Sequence, residues 1–207
     1  MVEIYCGDGK GKTTAAMGLA VRAAGHGIPV RIVQFLKDGT SGELIILKKL
    51  EGIEIDTPHE FYGFVKNMTA EQKKAVADDY AAMLERAMAW LDNIIFDNNK
   101  NTDQIMTGCE TDSEVGSEVD SGDKIKSDSE ISAVVIMDEV LHACNFGLLD
   151  KDRLVAFIDK YKDKTELVLT GRNPSEELVG VADYVSEIKK IKHPYDKGIF
   201  ARVGIEL

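Results

Sequence analysis

The sequence has few basic residues, few cysteines and no long apolar run, and each shortage argues against a class of protein. Lys and Arg number 25 against 36 Asp and Glu, a formal net charge of −11, which disfavours a surface that coats nucleic acid. Cys6, Cys109 and Cys144 are odd in number and widely spaced, which disfavours a disulfide framework and favours a reducing compartment. No basic start with an apolar core opens the chain, and no stretch approaches the ~18 apolar residues of a membrane span. We therefore expect a soluble, cytoplasmic protein that acts on small molecules and binds neither nucleic acid nor membrane.

Short apolar segments rich in β-branched residues alternate with helical periodicity along the chain. Such segments lie at residues 2–6, 30–35, 133–137 and 166–170. The alternation predicts parallel strands with helical crossovers, and the fully apolar residues 134–137 predict a central strand covered on both faces. Residues 184–188 and 199–203 predict peripheral strands, and this last pair could be antiparallel. We predict a single α/β domain over residues 1–207, with a mostly parallel sheet like that of P-loop NTPases and helices on both faces.

The middle of the chain contains a predicted long helix and then an acidic segment. Thr69 and Gln72 have the spacing of a capping box, and apolar residues recur three and four positions apart, which predicts a helix from about Thr69 to Phe96 that packs on the sheet. Residues 98–131 contain nine acidic residues, three lysines and few large apolar groups. Such a segment cannot offset its ordering entropy, so we predict a disordered surface insertion within the domain.

A glycine-rich segment lies between the first predicted strand and the helical pattern that follows it. Glycines let successive backbone N–H groups turn toward an anion, and the helix N-terminus adds the positive end of its dipole. We expect Lys12, as an exposed side chain, to meet phosphate oxygens and the Thr13 hydroxyl to ligate Mg²⁺. The pattern departs from G-x-x-x-x-G-K-[ST] because the position six before Lys12, where that motif has glycine, is Cys6. The alternative interpretation is a glycine-rich turn that binds no ligand. The predicted phosphate-binding residues are Gly7, Asp8, Gly9, Lys10, Gly11, Lys12, Thr13 and Thr14.

Two carboxylates, Asp138 and Glu139, follow the predicted central strand. Alone they could be a solvated strand end, but beside a phosphate loop they would hold or orient the cation that neutralises a polyphosphate. We therefore predict a metal site formed by Thr13, Asp138 and Glu139. These residues indicate a magnesium-dependent enzyme that uses ATP, and they leave open a kinase, an ATPase or a non-enzymatic nucleotide-binding regulator.

Four further segments narrow the chemistry. They lie at residues 34–37, 63–64, 170–173 and 192–198. Together with the shortened phosphate loop and Asp138-Glu139, they resemble the P-loop type of ATP:corrinoid adenosyltransferase over nearly the whole chain outside residues 98–131. The resemblance implies transfer of the 5′-deoxyadenosyl group of ATP to the Co(I) of a reduced corrinoid, such as cob(I)alamin or cob(I)yrinic acid a,c-diamide, with triphosphate as leaving group. It also implies a homodimer and an electron donor such as a flavoprotein.

The resemblance assigns roles to individual residues as well. It implies phosphate binding by the loop with Lys12 as a catalytic residue, magnesium at Thr13 and Glu139 with Asp138 nearby, and a nucleoside contact for Arg22. Because Co(I) is the nucleophile and C5′ the electrophile, the protein is expected to position its substrates, neutralise the leaving triphosphate and exclude water.

Phe64 is the second residue to which the resemblance gives a catalytic role. It matches an aromatic side chain that packs against the corrin and displaces the lower cobalt ligand, although Lys66 stands where family members often have tryptophan. A core anchor or a loop staple is the alternative for Phe64. Arg172 is expected to face the site, with anion binding and structural pairing both open, and His193 could cap a turn.

Overall fold

Six strands and six α-helices make up the part of the chain that the computed structural model describes, residues 1–107 and 131–205, without the side chains at positions 99 and 101–107. The strands are β1 (Val2–Cys6), β2 (Val30–Gln34), β3 (Ile53–Asp56), β4 (Val134–Asp138), β5 (Glu166–Thr170) and β6 (Tyr184–Glu187). The helices are α1 (Lys12–Gly25), α2 (Gly42–Leu47), α3 (Ala70–Thr107), α4 (Val140–Asn145), α5 (Lys151–Tyr161) and α6 (Glu176–Val181). Two short 3₁₀ helices, Val65–Asn67 and Pro194–Lys197, lie before α3 and after β6.

All six strands form one sheet in the order β3-β2-β4-β5-β1-β6, and every neighbouring pair is parallel. The predicted parallel α/β architecture is therefore confirmed, and β6 is peripheral as predicted. The suggestion that the last strands are antiparallel is wrong for β6, which pairs in parallel with β1. Because the strands are parallel, the loops that follow them all begin at the same edge of the sheet.

Helices cover both faces of the sheet, as predicted. Strand β4 shows this through its alternation: Val134 and Ile136 pack with α1 and α2, whereas Val135 and Met137 pack with α3, α4 and α5. All five residues of β4 are buried, so the prediction of a central strand covered on both sides is confirmed. Burial on both faces explains why this strand reads as a continuous apolar run.

Helix α3 begins as the sequence predicts. The Thr69 hydroxyl accepts from the Gln72 amide, and the Gln72 side chain accepts from the Thr69 amide, which is the reciprocal pair of a capping box. The helix runs on to Thr107, past the predicted end at Phe96 and into the predicted acidic insertion. Residues 108–130 of the predicted insertion lie outside the described part of the chain, so their disorder stays a prediction. No helix in the described residues is long and apolar enough to cross a membrane.

Three elements differ from the sequence-based expectation. Strand β3 and helix α2 were not predicted, because both are short and β3 carries Glu54 and Asp56 among its four residues. The guanidinium of Arg31 on β2 bonds both carboxylates, so the pairing of β3 depends on a neighbour that is distant in sequence. The predicted strand at residues 199–203 is wrong: Gly198 has a φ of 75°, and an irregular, exposed segment follows it that pairs with no described strand.

Candidate functional site

A cavity of about 940 Å³ opens where the strands end at their carboxyl termini. The loops after β1, β2, β4 and β5 line it, together with the C-terminal segment. A concave site of roughly 300–1,000 Å³ is typical for small molecules. The predicted site residues that line it are Asp8, Gly9, Lys10, Gly11, Lys12, Thr13, Thr14 and Glu139. The structure thus brings the loop after β1 and one carboxylate after β4 to a common space.

The first glycines of the loop are required by a close approach of the backbone. A Cβ atom on Gly7, whose φ is 109°, would lie 2.3 Å from the Ile188 carbonyl oxygen, and one on Gly9 would lie 2.8 Å from it. The Gly9 amide donates to that same carbonyl at 2.8 Å. The Asp8 carboxylate accepts from the Lys190 amide, and this bond lowers the pKa of Asp8. In this structure, therefore, the loop is held against the segment that follows β6.

Lys12 is the first residue of α1, and its side chain is buried. The expectation of an exposed lysine is wrong, because the loop wraps around it and Lys12 Nζ donates to the Gly9 carbonyl oxygen at 2.9 Å. Burial lowers the pKa of Lys12, while the carboxylates of Glu139 and Asp138 act in the opposite direction. The lysine thus closes the loop from inside and is also one of the residues that line the cavity.

Asp138 is fully buried beneath the loop and is the centre of a hydrogen-bond network. Its Oδ1 accepts from the hydroxyls of Thr13 at 3.0 Å and Thr170 at 2.7 Å. Its Oδ2 accepts from Lys37 Nζ at 2.6 Å and Gln34 Nε2 at 3.2 Å. Four donors from three segments of the chain therefore hold one carboxylate in a single orientation.

Glu139 follows directly and lies at the cavity wall. Its carboxylate is bound to Nδ1 of His142, one turn along the chain. Burial alone would raise the pKa of Glu139, but the bond with His142 and the nearby charges of His142, Lys37 and Lys12 outweigh it and lower that pKa. Glu139 is therefore ionised at neutral pH and available to a cation.

Backbone strain is concentrated at this edge of the sheet. The described non-glycine residues with positive φ are Leu36 (56°), Glu139 (64°) and Asn173 (49°), which follow β2, β4 and β5. Such conformations cost of order 1–3 kcal/mol each and persist where neighbouring groups hold them. Here the Tyr80 hydroxyl accepts from the Leu36 amide, and the Asn145 side chain donates to the Asn173 carbonyl. The three strained turns all lie around the cavity.

The structure brings some of the other predicted residues to the cavity and leaves some outside it. Arg172 lines the cavity, as expected. His193 lines it as well, and its Nδ1 accepts from the Tyr195 amide, so the predicted turn cap is confirmed. Arg22 is exposed near the end of α1 and does not line the cavity. Phe64 is 76% exposed and lies outside it, whereas Phe61 of the same loop is part of the wall.

Comparison with known proteins gives the family. The model of the ATP:corrinoid adenosyltransferase BtuR/CobO/CobP family matches residues 1–207, the full length of the chain. The chain belongs to this adenosyltransferase family. A corrinoid adenosyltransferase from Sinorhizobium sp. is 30% identical over 208 residues, covering 100% of this chain and 79% of the relative. The corrinoid adenosyltransferase CobA of Salmonella typhimurium is 28% identical and is covered to 85% of its length.

Two further matches are another relative of similar identity and one solved structure. A corrinoid adenosyltransferase from Pseudomonas aeruginosa is 29% identical over 98% of this chain and 81% of its own. Among solved structures, a match to EssC (ATPases 2 and 3) from Geobacillus thermodenitrificans covers 100% of this chain and 35% of the EssC chain. The TM-score is 0.49 and the sequence identity is 12%. That structural likeness is too low to add to the fold described above.

Three polar residues in the candidate site of this adenosyltransferase were not predicted as site residues: Gln34, Lys37 and Thr170. All three lie at or just after the carboxyl ends of β2 and β5, and all three donate to Asp138. Segments 34–37 and 170–173 carried the family resemblance, which was the available signal. Their role became visible only when parallel pairing aligned Gln34 with Asp138 and placed β5 beside β4.

Proposed function

We propose that this protein transfers the 5′-deoxyadenosyl group of ATP to the Co(I) centre of a reduced corrinoid and releases inorganic triphosphate. One observation carries the proposal: in a chain of the ATP:corrinoid adenosyltransferase family, a cavity of about 940 Å³ is lined by the glycine loop, Lys12 and Glu139, with Asp138 directly beneath. The cavity combines positive groups for a polyphosphate with carboxylates for a cation.

The reaction makes modest demands on the protein. Co(I) attacks C5′ of the ribose, the C5′–O bond breaks, and the electron pair leaves with the triphosphate, so no proton has to be removed. The chain's task is to hold the two substrates in line and to stabilise the leaving charge. Lys12, Arg172 and the N-terminus of α1 supply positive charge at the cavity wall.

Magnesium fits the oxygen donors of this site. In the described residues, no group of three or more His, Cys, Asp and Glu side chains is arranged to hold a metal alone. Mg²⁺ commonly binds through one or two carboxylates together with substrate phosphates and water. We propose that Thr13, Asp138 and Glu139 hold the ion with the polyphosphate, and that it neutralises the charge of the leaving group.

The direct test is incubation of the protein with MgATP and a chemically reduced corrinoid. We expect the absorption spectrum of an organocobalt product and one triphosphate for each cobalt alkylated. Orthophosphate or ADP without alkylated cobalt would instead favour an ATPase or a kinase. ATP binding without turnover under reducing conditions would favour a nucleotide-binding regulator.

Phe64 remains the proposed contact to the corrin. Its exposure, and the position of Phe61 from the same loop in the cavity wall, support this role. We expect Phe64→Ala to impair adenosylation of cobalamin more than that of cobinamide, which lacks the lower nucleotide ligand. Phe96→Ala, which changes an exposed phenylalanine on α3, is the matched control. Equal losses on both acceptors would argue for a packing role.

The assembly and cellular setting are also proposals. We propose a homodimer, supported by strand β6, whose four residues are all exposed, and by the exposed Ile191, Phe200 and Val203 that follow it. Light scattering of the purified chain tests this. We propose a cytoplasmic location, which suits the free thiols of Cys6 and Cys144. We also propose an electron donor such as a flavoprotein, and replacing the chemical reductant in the assay with a reduced flavoprotein tests this.

A further inference from the structure

A positive charge of the chain itself lies between two of the proposed magnesium ligands. Lys37 follows β2, and its Nζ is 2.6 Å from Asp138 Oδ2 and 3.2 Å from Thr13 Oγ1. The Asp138 side chain is fully buried, and that of Lys37 is 24% exposed. Most of the Lys37 side chain is thus enclosed, and the residue also lines the cavity.

The carboxylate cannot easily turn away to serve a second cation. Thr170 and Thr13 bind its other oxygen, and the buried Gln34 amide binds the same oxygen as Lys37. Two positive charges held a few ångströms apart in a poorly solvated site repel each other strongly. An ammonium between Asp138 and Thr13 therefore competes with a metal ion for the same oxygens.

We propose that Lys37 is a positioning residue that occupies the cation position in the nucleotide-free protein and moves to the polyphosphate when the magnesium complex of ATP binds. This inference rests on the proposed function. A lysine suits the role because its ammonium is a compact charge on a flexible four-carbon stem. The chain then excludes free divalent cations until a nucleotide arrives, and the displaced ammonium adds positive charge beside the leaving triphosphate.

The test measures metal binding in the absence of nucleotide, with Mn²⁺ as the probe and electron paramagnetic resonance as the readout. We expect Lys37→Met to bind Mn²⁺ at least tenfold more tightly than the wild-type chain. Lys48→Met, which removes the same charge from an exposed position after α2, is the matched control and is expected to behave like the wild type. Wild-type affinity in Lys37→Met, or an equal gain in Lys48→Met, would overturn the proposal.

Two further measurements separate this role from a purely structural one. Adding Asp138→Asn to Lys37→Met should remove the gained Mn²⁺ binding, and retention of that gain would refute the assignment of the position. In calorimetry, the gain in metal affinity of Lys37→Met should not carry over to MgATP, because the contact of Lys37 with the polyphosphate is lost. A gain in MgATP affinity over Lys48→Met as large as the gain in Mn²⁺ affinity would refute the movement to the polyphosphate. Thermal unfolding, followed by circular dichroism, confirms that each variant is folded.

The outcome is distinguishable from failure of the proposed function. None of these experiments contains a corrinoid, so the metal result stands whether or not the wild-type chain alkylates cobalt. A wild-type chain that forms no organocobalt product rejects the adenosyl transfer and leaves the competition between Lys37 and the metal measurable.

Discussion

Removal of the Asp138 carboxylate tests the hydrogen-bond network beneath the glycine loop that follows β1. The substitution Asp138→Ala leaves two buried donors, Gln34 Nε2 and the Thr170 hydroxyl, without their acceptor. Thr13 and Lys37 are partly exposed and can turn to water. An unsatisfied buried donor costs about 1–3 kcal/mol. Two of them would cost about 2–6 kcal/mol. Removal of a buried charge offsets part of this cost, so we expect the free energy of unfolding to fall by about 2–4 kcal/mol.

Asp138→Asn should cost less, for a reason that the structure supplies. The Gln34 side chain has a buried oxygen, Oε1, without a hydrogen-bond partner. A half-turn of that amide would present this oxygen to the new NH₂ group, while the new carbonyl keeps the threonine hydroxyls. We therefore expect a loss of about 1–2 kcal/mol, close to that of one or two hydrogen bonds.

The assay is urea unfolding of the nucleotide-free protein, followed by the fluorescence of Trp90, the chain's single tryptophan, which lies on α3. Asp78→Ala removes an exposed acid from the same helix and should change the free energy of unfolding by less than about 0.5 kcal/mol. A loss below about 1 kcal/mol for Asp138→Ala, or equal losses for the two variants at this position, would refute the argument.

Three further changes probe the loop and the thiols. Lys12→Met should weaken MgATP binding at least tenfold in calorimetry yet leave the melting temperature unchanged or higher. Burial lowers the pKa of Lys12, so the free-energy penalty of burying the ammonium is full below that pKa and fades only as the pH rises through it. A lower melting temperature for Lys12→Met would contradict this. Gly7→Ala should destabilise the fold by about 2 kcal/mol or more in urea unfolding, since Gly7 has a φ of 109° and a Cβ there would meet the Ile188 carbonyl. Its control, Gly18→Ala, places a Cβ in open space on α1 and should stabilise the fold by about 0.5–1 kcal/mol. Burial raises the pKa of Cys144 to about 11 from 9.0, which lowers the thiolate fraction at pH 8 roughly 100-fold. Because a more basic thiolate is also more nucleophilic, we expect its alkylation at pH 8, followed by peptide mass spectrometry, to be about tenfold slower than that of an unperturbed thiol. Labelling at the ordinary rate would show that this thiol is not desolvated.

Local patterns were sufficient for much of the fold. The capping box of α3 formed as the spacing of Thr69 and Gln72 predicts, because both partners lie within one helical turn. The apolar run of β4 identified a central strand, since only a strand covered on both faces can bury every side chain. The segment at 199–203 misled for the converse reason: four of its five residues are apolar, but no strand in the described part of the chain pairs with them.

The sequence by itself determined that a glycine loop, a lysine and a threonine lie between a strand and a helix, and that two carboxylates end an apolar strand, because these features depend on neighbours along the chain. Only the tertiary structure decided that Lys12 is buried, that the loop is held by Ile188, and that Lys37 lies on Asp138. Those contacts join residues separated by up to about 180 positions, and the parallel order of the strands alone brings them to one edge. Pattern reading has no access to that order, since it depends on which strands pair.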